Sequence, residues 1–201
     1  MYKAMNWVVL VLIITPLSQG QQRREAGHVD DPSVSDVAHF TVTVAREYDS
    51  IPPLYSDSDL VVQATVSTVF PARDLSLSNR SHTLVTDILL NVKRTFKGPT
   101  LTELAVVQLG GTLGKMQRIP DQFRMMQNGE QYVLFLKQDP RMQSVALAGT
   151  VTYSVTGGYA GIFQLVNNTL QLSPAAHINL RDRYQGKLPD VLLADLGNLS
   201  H

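Results

Sequence analysis

The chain contains no cysteine. That absence removes disulfide bracing, thiolate metal sites, cysteine nucleophiles and a lipid-bearing cysteine together. An excess of one charge is missing as well: 17 lysines and arginines stand against 17 aspartates and glutamates, so nothing favours a nucleic-acid partner. The histidines, His28, His39, His82, His177 and His201, are scattered, and no two have the spacing that puts two imidazoles on one helix face or strand face. No metal and no cofactor are therefore expected. No Gly-x-Ser-x-Gly elbow occurs, so a local serine-hydrolase signature is absent too. The unbroken apolar run Trp7 to Thr15 is far short of the roughly 20 residues that span a bilayer, which predicts no stable membrane insertion.

That same run has another meaning. Lys3 precedes it, and Ser18-Gln-Gly20 places small residues three and one before Gln21, the pattern of a secretory signal peptide over residues 1–20. A secreted product, extracellular or periplasmic, is the expectation. Residues 21–38 have no hydrophobic period and read as a flexible lead-in. Residues 39–201 are expected to form a single domain, since 201 residues with 44% apolar side chains suffice for one core. Sequons stand at Asn79, Asn167 and Asn198, relevant wherever exported chains are glycosylated.

Most of the remaining pattern has a period of two. His39 to Val44 alternates and predicts a first strand, ended by Pro52-Pro53. Leu60, Val62, Ala64 and Val66 share one face; Leu84, Ile88, Leu90 and Val92 share another, with Asp87, Asn91 and Lys93 turned outward. Leu104 to Leu109, Gln131 to Leu136, Ser144 to Leu147 and Gly161 to Val166 add further strands. The last is joined through Asn167-Asn168 to Thr169–Leu172 as a hairpin. Only near the end does the period change: Leu188, Leu192 and Leu196 recur every four residues behind Pro189, predicting a short amphipathic helix over one end of the sheet. The prediction is an all-β fold, an OB-like five-stranded barrel with an added β-hairpin and a short C-terminal helix.

Gln108-Leu-Gly-Gly-Thr-Leu-Gly-Lys-Met-Gln117 invites comparison with a phosphate loop. Gly110 stands one position too close to Gly114, Met116 replaces the metal-binding hydroxyl, and no helical period follows. A strand-ending glycine loop is expected instead. Met116, Met125, Met126 and Met142 lack Met-x-x-Met spacing and read as core filler. Asp57 and Asp59 lie in a turn-like run where short carboxylates cap backbone. The Gly110 to Gly129 segment reads as a long loop carrying Lys115, Arg118, Ile119, Phe123, Arg124, Met125 and Met126. It is either a partner-binding surface or a flap that plugs the barrel.

The succession Ser58 to Val66, Arg94-Thr-Phe-Lys-Gly98, Val106 to Gly111 and Asn128 to Leu136 resembles a group of secreted bacterial proteins. Their core is similar to the netrin-like module, an OB-fold barrel shared with the tissue inhibitors of metalloproteinases. The resemblance implies a barrel and a protein partner, extracellular or on the cell envelope. The inhibitors' zinc-directed N-terminal cysteine has no counterpart here, so no functional residue carries over. A non-catalytic interaction module is thus expected, with the Gly157 to Gly161 turn as a second contact; an exported hydrolase whose acids and histidines meet only in space is the alternative.

Overall fold

In a computed structural model, residues 36–75, 83–140, 147 and 149–199 are described. In chain order these form β1 (Asp36–Phe40), α1 (Ile51–Asp57), β2 (Leu60–Val69), β3 (Arg73–Asp74), β4 (Leu84–Lys97) and β5 (Glu103–Leu109). There follow β6 (Gly111–Leu113), β7 (Met116–Pro120), β8 (Gln131–Gln138), β9 (Thr152–Val155), β10 (Ile162–Val166), β11 (Thr169–Leu172), α2 (Ile178–Tyr184) and α3 (Pro189–Leu199).

Alternation along the strands decides the architecture. Leu60, Val62, Ala64 and Val66 of β2 meet Ile88 and Leu90 of β4, Leu104 and Val106 of β5, Leu134 and Leu136 of β8, and Tyr153 of β9 in one apolar interior. The strands around it pair β8-β2-β4-β5-β9, and β9 returns to β8, closing a five-stranded barrel. Every pairing in this ring is antiparallel except β5 with β9, which is parallel. In barrel order the strands thus run first, second, third, fifth, fourth, a Greek-key closure of OB type. The expected barrel is present. Its last joint is brief, for β9 meets β5 only at Ala105↔Thr152 and Val106↔Tyr153. The β2–β4 ladder carries three register shifts, the bulges by which long strands bend round a small barrel.

The odd-numbered side chains of β2 face outward, where Ser67 meets water but Val61 does not. Val61 joins Val133, Phe135 and Phe163 in a second core, covered by Ile51 and Leu54 of α1, Leu180 and Tyr184 of α2, and Leu192 and Leu196 of α3. The C-terminal helix therefore lies on the outer face of the sheet, not over its end. The β10–β11 hairpin extends the sheet beyond β8 and turns at Asn167 and Asn168, whose φ angles of 49° and 60° suit a tight hairpin turn.

Several expectations change. The first strand starts at Asp36 and stops at Phe40, because Val42 leaves the ladder to be buried and to bond Gln122. Pro52 and Pro53 do not break structure; they sit in the first turn of α1, where backbone N–H groups have no intrahelical acceptor. Lys97 Nζ donates to the carbonyls of Tyr55 (2.6 Å) and Ser56 (3.1 Å) near the helix's C-terminal end. Asp87 is on the outward parity as expected, yet only 1% exposed, because β3 pairs with β4 there and Arg73 bonds both carboxylate oxygens at 3.1 Å. Residues 144–146 of the strand expected at 144–147 lie outside the described residues, and β9 supplies the fifth barrel strand.

Candidate binding surfaces

The long segment after β5 is not a loop throughout. Gly111 to Leu113 pairs antiparallel with Met116 to Arg118, turning through Gly114 and Lys115, with Gly114 at φ 57°. The glycine run that invited the phosphate question is thus a hairpin. The outer side of β7 takes β1 in parallel register, Asp36↔Met116 to Phe40↔Pro120, making a separate three-stranded sheet beside the barrel.

The seven residues expected on this surface divide by environment. Lys115 is exposed at the hairpin tip. Arg118 Nη2 bonds Asp36 Oδ2 at 3.0 Å, and this hydrogen bond and charge hold the Asp36 carboxyl below its usual range. Ile119, Phe123 and Met125 are half-buried. Arg124 is paired with Glu130. Met126 is 2% exposed and enters the barrel interior among the β2, β4 and β8 side chains. Part of the segment is therefore a plug, and only its hairpin and flanks remain as surface.

Residues not singled out from sequence hold this arrangement together. Gln108 Oε1 accepts from Met126 N–H at 3.0 Å and its Nε2 donates to Arg124 O at 3.3 Å, so a buried amide clamps the plug. Its inward parity with Leu104 and Val106 was the available signal: a polar side chain facing the core requires a polar partner. Gln122 similarly accepts from Val42 N–H (2.9 Å) and donates to Val42 O (3.2 Å). His39 Nδ1 lies 3.1 Å from Asp121 Oδ1, and Thr41 donates to Asp121 Oδ2 at 3.3 Å. The 157–161 turn packs against residues 44 and 48: a Cβ added at Gly157 would meet the Tyr48 ring at 2.7 Å, and one at Gly158 the Val44 side chain at 2.9 Å. Residues 42–48 thereby connect Gln122 to that turn.

A groove of about 850 Å³ lies elsewhere, between residues 49–52, α2 and the end of α3. Asp49, Asp182, Arg183, Tyr184, Asp195 and Asn198 are among its lining residues. Here titratable groups do meet: Tyr184 Oη donates to Asp195 Oδ2 at 2.6 Å, and Arg183 bonds both Asp195 oxygens at 2.8 to 3.0 Å. Burial, then the bond to Asp195, pushes the Tyr184 phenol well above its ordinary range, and Arg183 is raised by the same carboxylate. A general acid or base acting near neutrality needs a pKa near neutrality, and these shifts move away from it. The arrangement recurs twice. Asp57 accepts from Arg46 (2.6 Å) and Tyr48 (2.8 Å), and Glu130 accepts from Arg124 and from Tyr132 (2.6 Å). Burial pushes Tyr48 up to about 12 and Tyr132 higher still, each with its carboxylate neighbour adding to the shift. These triads fasten elements together.

Asp59 does not cap its own turn: its Oδ2 accepts from Gln138 N–H at 3.0 Å, at the end of β8. His177 caps α2, its Nδ1 accepting from Asn179 N–H at 3.3 Å, while His82 lies outside the described residues. Among the described residues no three metal-ligating side chains gather, and no helix is long and apolar enough to cross a membrane. Asn167 is exposed on its turn and Asn198 on α3; Asn79 lies outside the described residues. No protein-family model matches the chain, and no curated protein matches it.

Proposed function

We propose that the chain is an exported, non-catalytic binding module that engages a protein partner through the β6–β7 hairpin and its outer edge. The observation that carries this is the contrast between the two candidate surfaces. In the groove Arg183, Tyr184 and Asp195 are bound to one another, whereas the hairpin forms a small sheet beside the barrel with Thr112, Gly114 and Lys115 exposed at its tip. Export rests on Lys3, the Trp7 to Thr15 run and the Ser18-Gln-Gly20 site. The netrin-like reading rests on the residue succession from Ser58 to Leu136, and an OB-type barrel is compatible with it.

The test is affinity capture from the extracellular fraction of the source cells, comparing the chain with a Thr112→Arg/Lys115→Glu variant of the hairpin tip. The expected result is one stoichiometric protein held by the former and lost by the latter. Equal recovery by both overturns the surface assignment, and recovery of nothing above a charge-matched control overturns the protein-binding reading.

A further inference from the structure

We propose that the outer edge of β7 is an acceptor for an extended peptide strand of a partner protein, and that β1 occupies it in cis as a stand-in. This rests on the interaction reading above and names the ligand class for that surface: a parallel strand with an acidic residue first and a cationic or hydrogen-bonding residue three positions later.

The backbone geometry defines the rail. Asp36 N–H donates to Lys115 O at 3.0 Å and Phe40 O accepts from Asp121 N–H at 3.0 Å, on either side of the register Asp36↔Met116 to Phe40↔Pro120. In a parallel ladder this parity turns the N–H and C=O of Asp36, Ala38 and Phe40 toward β7. Backbone pairing of this kind accepts many sequences, and side-chain pairs select among them. Arg118 at one end meets Asp36, and Asp121 at the other meets His39. Both pairs reach solvent, so they act mainly on register rather than on overall affinity.

The occupant is weakly held. None of the β1 residues is buried, and Val37 is 50% exposed, in contrast to the barrel strands, each of which contributes buried side chains. The fold re-engages the chain firmly only at Val42, through the two Gln122 bonds. β1 is therefore separable at Thr41 without disturbing either apolar core. An intramolecular strand that fills the edge at least nine-tenths of the time lowers the apparent affinity for an external strand by roughly tenfold or more.

The experiment measures fluorescence anisotropy of a labelled peptide, residues 36–44, against the full chain and two variants. Ala38→Pro removes a ladder donor from β1, and Asp36→Ala/His39→Ala removes the end pairs without introducing proline. Near-UV circular dichroism reports the core. Both variants are expected to keep the core and bind the peptide roughly tenfold more tightly than the unaltered chain. Adding Arg118→Glu to Ala38→Pro should abolish binding, and a peptide with lysine at the Asp36 position should restore it. Equal affinity across the chains, failure of the charge exchange to restore binding, or loss of the core in both variants overturns the proposal. So does concentration-dependent dimerisation of the variants, which assigns the edge to a second copy. The peptide assay alters neither Thr112 nor Lys115, whose carbonyl is the first acceptor of the rail, so failure of capture by the tip variant and failure of strand addition are separately visible.

Discussion

Replacing Met126 by alanine separates a plug from a mobile binding loop. The side chain is 2% exposed and packs among Leu60, Val62, Leu90, Leu134 and other members of the barrel interior, while its N–H is held by Gln108. Truncation loses the transfer free energy of the thioether chain and leaves a cavity that a closed ring of strands cannot collapse to fill. Met→Ala changes at such sites cost about 2 to 5 kcal/mol. A loss of about 3 kcal/mol corresponds to a Tm lower by roughly 6 to 12 °C for a domain of this size. Met126→Leu conserves volume and should cost less than about 1.5 kcal/mol. The assay is guanidinium unfolding followed by tyrosine fluorescence and circular dichroism, with slopes compared to confirm that only stability changed. If Met126→Ala costs less than about 1 kcal/mol, the 121–129 segment is not part of the core and the plug assignment fails.

Other consequences can be checked on the same material. Arg73→Ala removes the fork on nearly fully buried Asp87 and should cost about 3 kcal/mol by denaturant unfolding, with Asp87→Asn/Arg73→Gln partly restoring it. Gly111→Ala should destabilise far more than Gly114→Ala: both have positive φ, but the new Cβ at Gly111 falls 2.2 Å from Thr86 Oγ1, whereas Gly114 has open space and loses only about 1 kcal/mol. Tyr48, Tyr132 and Tyr184 hold their protons more tightly when folded, so their stabilisation is intact below pH 10 and declines as pH rises above it. Tyrosinate absorbance should show Tyr48 ionising at about 12, a step that Tyr48→Phe removes.

The barrel was legible because its strands bury one face, and burial of one face writes itself into alternate residues: Leu60, Val62, Ala64 and Val66 all point inward as their spacing implies. The other parity was harder. Val61 and Asp87 occupy outward positions that helices and β3 cover, and coverage from distant sequence leaves no local mark. Helices α1 and α2 span seven residues each, two turns, too few for a helical period to stand out, and Pro52-Pro53 reads equally as a stop or a first turn. Residues 110–129 drew notice by their length and basic-apolar mixture. Their partition into hairpin and plug left no local mark, because the inward turn of Met126 depends on Gln108 across the barrel mouth.

The parallel joint between β5 and β9 is the seam of the barrel. Closure rests on two register pairs of residues 152–155 to β5 and three to β8, against eight between β2 and β4. With so few pairs on either side, this seam is the weakest link in the ring. Amide protons of Thr152 to Val155 should therefore exchange before those of β2 and β4, reporting a breathing motion that unseals the barrel while its longer ladders stay intact.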